Sequence, residues 1–114
     1  MGVLKRVKCS SCDRDRFTEN SSYCRFHHRL RNQTNMAKRR GHIPIDQSTI
    51  TPEDFYGVNH CEICDKHLED VDKRIDHCHI TGKFRGILCD IHNLMLGHAK
   101  DDISVLYSAI KYLE

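Results

Sequence analysis

Four short pairs of metal-ligand residues, arranged in two sets, constrain the fold of this chain more than any other feature of its sequence. Each pair separates its two ligands by two residues, which lets both side chains turn toward one ion. The upstream set is Cys9, Cys12, Cys24 and His27, and the downstream set is Cys61, Cys64, Cys89 and His92. Each set supplies the four sulfur and nitrogen ligands of a tetrahedral structural zinc site. We therefore predict two structural zinc ions.

The composition favours metal sites as the source of stability. The chain has 114 residues, of which 39% are hydrophobic and 7% aromatic, with no tryptophan. Chains of this size with a thin core usually need metal ions or disulfides. The cysteine count is odd, at seven, and the sequence has no apolar run of signal-peptide or membrane-spanning length. We therefore expect an intracellular chain, in which thiols stay reduced and bind metal.

Within the two sets, some assignments leave alternatives open. Buried thiols or a redox-active dithiol would also explain the downstream set. In the upstream set His27 repeats the two-residue spacing and is our choice of fourth ligand, but the adjacent His28 is a second candidate. Cys78 is left over from both sets, and we expect a small packed side chain there.

The charges are distributed unevenly along the chain. Residues 1–43 contain 11 Lys/Arg and 3 acidic residues, a net charge of +8, whereas residues 44–114 contain 7 and 13, a net charge of −6. The stretch 25–40 has no Pro or Gly and is followed by Gly41, which predicts a basic helix. Such a helix is suited to binding a polyanion, although basic residues often serve only to solvate a helix face.

The two prolines of the chain mark a boundary. Pro44 and Pro52 lie in a polar stretch that interrupts helical periodicity. We predict a zinc-binding module at 1–43, a linker at 44–52 and a second domain at 53–114.

The second domain has the pattern of short strands and helices. Residues 74–77 and 84–88 predict two strands, separated by turn-forming residues at 81–83. A first short helix is expected at 52–57, with Thr51 as its N-cap, and another at 90–96, ending at Gly97. A final amphipathic helix follows, with Asp101 or Asp102 as N-cap. Its apolar stripe predicts a core-facing surface formed by Ile103, Leu106, Tyr107, Ile110 and Leu113.

Chemically reactive side chains cluster between the two ligand pairs of the second domain. Asp76, His77 and His79 lie at the end of the first predicted strand, and Asn93 follows the last zinc ligand. Polar residues at this density reduce stability unless they have a chemical role. Ideal strand alternation would place Asp76 and His77 on opposite faces, so both reach one site only if the strand ends or bends there.

This region resembles the phage recombination endonuclease VII family, a branch of the HNH (ββα-metal) nucleases. The resemblance covers about residues 53–114 and rests on Cys61, Cys64, Asp76, His77, His79, Thr81, Gly82, Arg85, Gly86, Leu88, Cys89, Asn93, Leu96 and Gly97. The chain differs in having His27 and His92 where cysteine is usual, and Cys78 where an acid is common. It also has no acid between Asn93 and Asp101 to match a carboxylate of some members.

The resemblance implies a small zinc-stabilised α+β protein that acts as a metal-dependent DNA endonuclease. Asp76 and Asn93 would hold one Mg²⁺ or Mn²⁺ through oxygen ligands. His77 would be the general base. His79 would orient the scissile phosphate or assist at the metal, and Arg85 would contact a phosphate as a planar fork. The DNA backbone would be bound by the cations of the basic helix, which are Arg25, Arg29, Arg31, Lys38, Arg39 and Arg40.

Several alternatives stay open at this level. A sequence-specific HNH homing or nicking endonuclease would use the same residues, and a non-catalytic zinc-finger DNA-binding protein would use only part of them. The substrate is expected to be DNA, with branched or nicked duplex as a candidate, and no membrane. The oligomeric state is left between monomer and weak dimer, and the location is the host cytoplasm if a phage encodes the chain. DNA could instead be held by cations of the second domain, namely Lys73, Arg74, Lys83 and Arg85.

Overall fold

The structure is a computed structural model that describes residues 8–16 and 22–114. These residues form four α-helices and one two-stranded antiparallel sheet, which confirms the predicted small α+β class. The elements are α1 (Arg25–Arg39), α2 (Pro52–Tyr56), β1 (Arg74–His77), β2 (Phe84–Leu88), α3 (Asp90–His98) and α4 (Ile103–Leu113). None of the described helices combines the length and apolar character that crossing a membrane requires.

Local sequence signals set the ends of α1 and α2. The side chains and backbones of Thr51 and Asp54 form a reciprocal capping box at the start of α2, where Pro52 occupies the first turn. Helix α1 begins after Cys24 and buries Phe26 and Leu30 on one face, while its other positions carry most of its cations. Both helices were predicted from the sequence, and the structure confirms them.

The β-hairpin contains an irregularity that matters for the site. Asp76 pairs with Gly86 but the next residue, His77, pairs with Phe84, so Arg85 is an extra residue on β2. This β-bulge shifts the pairing register between Asp76 and His77; a bulge of this kind bends the bulged strand, here β2, and increases the local twist of the hairpin. Gly86 allows the close approach of the zinc-ligand loop, because a Cβ there would lie 2.1 Å from Oε2 of Glu62. The Glu62 carboxylate accepts a hydrogen bond of 2.6 Å from the backbone N–H of Ile87.

The hydrophobic core is continuous across the predicted linker. The rings of Phe26 in α1 and Phe55 in α2 pack with centroids 5.6 Å apart. Ile45 and Ile50, within the predicted linker, are both buried in the same cluster. The division into two domains remains a prediction, and the structure joins its two halves through shared apolar packing.

Two details of the predicted helices are wrong. Helix α3 continues through Gly97 to His98 and ends only where Lys100 and Asp101 adopt positive φ angles of 55° and 57°.

The predicted core face of α4 is exposed: no residue of this helix is buried, and Ile103 and Tyr107 are 67% and 68% exposed. Amphipathic periodicity predicts an apolar stripe but not the element that covers it. The N-cap of α4 is Asp102, whose side chain accepts from the N–H of Ser104.

Lys73 is a buried cation that joins α2 to the strand region. Its side chain is fully buried, so it cannot contact DNA. The alternative in which cations of the second domain hold DNA is therefore wrong for Lys73. Its Nζ donates to the Phe55 carbonyl at 2.7 Å, to Oδ1 of Asn59 at 3.1 Å and to Oδ1 of Asp70 at 2.8 Å. This ammonium therefore satisfies three acceptors from three segments of the chain.

We expect Lys73→Met to destabilise the fold by about 2–4 kcal/mol, because it leaves buried acceptors without a donor. The measurement is the midpoint of urea unfolding with zinc held constant. Lys111→Met, at an exposed position of α4, is the control and should leave the midpoint nearly unchanged. Equal midpoints for the two variants would contradict the structural role of Lys73.

Candidate active site and metal clusters

The four upstream ligand atoms lie close together, within 4.8 Å of one another. The Sγ atoms of Cys12 and Cys24 lie 3.8 Å apart, and Nδ1 of His27 lies 3.3 Å from Cys24 Sγ and 3.5 Å from Cys9 Sγ. Ligands about 2.3 Å from one zinc ion are separated by about 3.8 Å in a tetrahedron. The four residues can therefore hold zinc. His28 instead lies within hydrogen-bond distance of Asn32, at 3.1 Å.

The downstream ligands repeat this geometry. Cys64 Sγ lies 4.0 Å from Cys89 Sγ, which lies 3.1 Å from Nδ1 of His92, and all four ligand atoms fall within 4.8 Å of one another. Burial of Cys61 opposes its ionisation, but hydrogen bonds from the backbone around Cys64 and Cys89 lower its pKa to about 6. This favours the thiolate that zinc requires.

Both clusters are attached to the start of a helix. Cys24 is the N-cap of α1, and Cys89 is the N-cap of α3. His27 and His92 lie in the first turns of these helices, so each cluster fixes the direction in which its helix leaves. Cys78 belongs to neither cluster and is only half-buried; hydrogen bonding to Thr81 lowers the pKa of its thiol to about 7.

The bulge brings Asp76 and His77 to one cavity. This cavity has a volume of about 330 Å³, and His79 and Asn93 also line it. Asn93 reaches it because it follows His92 in the first turn of α3. The structure therefore brings together the four predicted catalytic residues, which come from the end of β1, the following turn and α3.

His77 is buried and held by hydrogen bonds from two directions. Its Nε2 lies 3.2 Å from the carbonyl oxygen of Ile43, and its Nδ1 lies 3.2 Å from Nε2 of Gln33 in α1. Burial lowers the pKa of His77 below its ordinary value. The ring is therefore neutral near pH 7 and can accept a proton.

A chain of charged groups extends outward from the cavity: Asp76 and His79 line the cavity, whereas Arg85, which joins this chain, does not. Arg85 donates to both carboxylate oxygens of Asp76, at 2.7 and 2.9 Å, and to Asp101 at 3.2 Å. Asp101 in turn pairs with Nδ1 of His79. Burial opposes ionisation of Asp101, but hydrogen bonds from His79 and Arg85 lower its pKa. Arg85, predicted as a phosphate contact, is thus held by two carboxylates and keeps a side chain that is 35% exposed.

Sequence reasoning missed Asp101 as a site residue. The sequence has no acid between Asn93 and Asp101. In the structure Asp101, which lies beyond the end of α3, contacts His79 at the site. The left-handed conformations of Lys100 and Asp101 make this contact possible. Asp is one of the non-glycine residues enriched in left-handed conformations, so Asp101 carried a weak signal for this turn, whereas Lys100 carried none.

The cations predicted to bind DNA lie on different sides of α1. Arg29 and Arg40 line the cavity that contains His77. Arg31 and Lys38 line a different cavity, of about 230 Å³, beside the upstream cluster. The remaining two, Arg25 and Arg39, line neither cavity.

Comparisons with known proteins agree with the resemblance noted in the sequence. The recombination endonuclease VII family matches residues 46–114. The Gene 59 protein of Mycobacterium phage D29 is 32% identical over 127 aligned residues, which cover 96% of this chain and 74% of that protein.

The ββα-Me type II restriction endonuclease Hpy99I is a solved structure that is 27% identical, with a TM-score of 0.47. The alignment covers 82% of this chain but only 49% of the Hpy99I chain, so the present chain spans about half of that length. The family match covers more than half of the chain. The chain therefore belongs to the recombination endonuclease VII family, a family of nucleases.

Proposed function

We propose that this chain is a metal-dependent DNA endonuclease that hydrolyses a phosphodiester bond in the His77 cavity. One observation carries the proposal: a β-bulge brings Asp76 and His77 into one cavity with Asn93, beneath cations of α1. A protein that only binds DNA needs no buried imidazole of lowered pKa at such a point.

The donor chemistry of the cavity fits a hard divalent cation. Asp76 offers carboxylate oxygens, each of which accepts one hydrogen bond from Arg85 and keeps a second lone pair for a metal ion. Asn93 offers an amide oxygen, and both side chains line the same cavity. Oxygen ligands suit Mg²⁺ or Mn²⁺, whereas zinc suits the sulfur and nitrogen atoms of the two Cys/His clusters. When bound, the ion would stabilise negative charge on the phosphate and on the departing 3′ oxygen.

His77 is the proposed general base. Its neutral ring would take a proton from the attacking water, whose oxygen bonds to phosphorus as the bond to the 3′ oxygen breaks. The departing 3′ oxygen would take a proton from solvent water, so the products would carry a 5′ phosphate and a 3′ hydroxyl. The carbonyl of Ile43 holds the ring in place from the side opposite Gln33.

His79 and Arg85 are the proposed phosphate contacts. Asp101 pairs with Nδ1 of His79, which leaves Nε2 of that ring for a phosphate oxygen. Asp76, which lines the cavity, and Asp101 fix the guanidinium plane of Arg85. A planar guanidinium fixed in this way is suited to binding phosphate.

The DNA backbone would approach along α1. Arg40 lines both the His77 cavity and the larger space of about 710 Å³ that continues toward α3. Contacts of this kind bind phosphates without reading bases. The sequence leaves open whether branched or nicked duplex is the substrate, and a series of DNA substrates of different shape can answer this question.

The proposed function is tested by incubating the zinc-loaded chain and Mg²⁺ with supercoiled, linear, nicked, flapped and cruciform DNA. We expect cleavage that stops on chelation of Mg²⁺, with new 5′ ends that accept label only after phosphatase treatment. Cutting at one sequence in linear duplex would favour a sequence-specific enzyme. DNA binding without cleavage of any substrate would contradict the proposal.

Salt dependence tests which cations contact DNA. In protein carrying His77→Ala, we expect Arg40→Gln to weaken binding and to reduce the slope of log K against log[salt] by about 0.9, the value of one phosphate contact. Lys38→Gln removes the same charge two residues earlier, on the side that faces the other cavity. Lys38→Gln should change the slope of log K against log[salt] less than Arg40→Gln does. Equal changes in both variants would contradict a DNA path along the His77 cavity.

A further inference from the structure

We propose that Gln33 is a positioning residue that fixes which nitrogen of His77 carries the hydrogen. The proposal rests on the proposed function, since it concerns the general base of that reaction. Gln33 lies in α1, far from His77 in sequence, and its side chain is half-buried at the cavity wall. Its Nε2 lies 2.7 Å from the carbonyl oxygen of Ile75 and 3.2 Å from Nδ1 of His77.

The Ile75 carbonyl determines the orientation of the Gln33 amide. A carbonyl oxygen only accepts hydrogen bonds, so the amide atom facing it at 2.7 Å is the NH₂ nitrogen. The second hydrogen of that nitrogen is available to Nδ1 of His77. Nδ1 must then be an acceptor, without a hydrogen of its own.

The opposite side of the ring leads to the same tautomer. Nε2 of His77 lies 3.2 Å from the Ile43 carbonyl, which also only accepts, so Nε2 carries the hydrogen. Two backbone carbonyls, one of them acting through the Gln33 amide, thus specify the Nε2–H form. In a ring whose rotation is limited by burial, this leaves the lone pair of Nδ1 as the proton acceptor.

This arrangement gives Gln33 a defined role in the reaction. Its amide occupies the lone pair of Nδ1, so the attacking water must replace this one hydrogen bond. The bond to Ile75 can persist, which keeps the amide beside the ring. An acceptor at position 33 would instead favour hydrogen on Nδ1 and move the basic lone pair to Nε2, which faces the Ile43 carbonyl.

The test is ¹⁵N NMR of the imidazole nitrogens in zinc-loaded protein at about pH 8, where histidine is neutral. Wild type should show hydrogen on Nε2 of His77. Glutamate has the same length as glutamine but only accepts hydrogen bonds when ionised, so Gln33→Glu should move this hydrogen to Nδ1 of His77. Gln33→Met should reduce the fraction of protein with hydrogen on Nε2. Asn35→Met, on the same helix and outside the His77 cavity, is the matched control and should leave the tautomer unchanged.

Cleavage kinetics provide the second readout. Gln33→Met should lower kcat by about 10- to 100-fold with little change in KM, as for loss of a supporting hydrogen bond to a site histidine. Gln33→Glu should lower it further. Hydrogen on Nδ1 in the wild type, or an unchanged tautomer and kcat in both Gln33 variants, would overturn the proposal. If the wild type cleaves no DNA, the proposed function fails, while the tautomer measurement still decides the role of Gln33.

Discussion

His77→Ala is expected to abolish cleavage while DNA binding and zinc content stay near wild type. General-base catalysis contributes about 10²- to 10⁴-fold to rate, and the substitution removes the proton acceptor. The cations of α1 and both Cys/His clusters are untouched, so binding and folding should survive. The measurement is single-turnover cleavage with Mg²⁺ at saturating protein, together with an affinity measurement without Mg²⁺.

His67→Ala is the matched control for this substitution. His67 is an exposed histidine whose partner is Glu69, and it lines neither the His77 cavity nor the space next to it. The His67→Ala variant should cleave DNA at the wild-type rate. If His77→Ala cleaves as fast as His67→Ala, another group is the base.

Cys61→Ser is expected to remove one of two zinc ions and to unfold the hairpin and α3. Structural zinc contributes an apparent 10–16 kcal/mol or so in small zinc-binding units, more than the stability of a typical domain. The downstream cluster links the Cys61 loop to the start of α3, and the next residue, Glu62, holds the N–H of Ile87. Loss of this zinc should therefore disorder the elements that carry Asp76 and Asn93.

Zinc content and circular dichroism of protein purified without added metal give the measurement. Wild type should approach two zinc equivalents per chain. Cys78→Ser is the matched control. Cys78 belongs to neither cluster, so this variant should keep both zinc ions. Two equivalents and a native spectrum in Cys61→Ser would show that the downstream cluster is not a zinc site.

Features encoded by neighbouring residues could be predicted from the sequence. The strands at 74–77 and 84–88 match the structure because hydrophobic residues and a short turn define a hairpin locally. Thr51 and Pro52 specified the start of α2 in the same way. The two-residue ligand spacing identified both metal clusters, since it depends only on the local geometry of one loop.

Features that depend on distant packing could not be predicted. Gln33 of α1 and the Ile43 carbonyl, which follows α1, contact His77 through the tertiary fold, and nothing near His77 in sequence indicates them. Asp101 reaches His79 and Arg85 from beyond the end of α3, through a turn in which Lys100 and Asp101 have positive φ angles. The exposed stripe of α4 has the same periodicity as a buried one, so sequence could not distinguish them.

The central claim is that Asp76, His77 and Asn93 form one site for metal-dependent hydrolysis of DNA. The most direct measurement is the initial rate of plasmid nicking by zinc-loaded wild type, His77→Ala and Asn93→Ala over a range of Mg²⁺ concentrations. We predict that wild type nicks DNA only with Mg²⁺, that His77→Ala is inactive at every concentration, and that Asn93→Ala is inactive or needs more Mg²⁺. Nicking that continues without Mg²⁺, or equal rates in all three proteins, would contradict the claim.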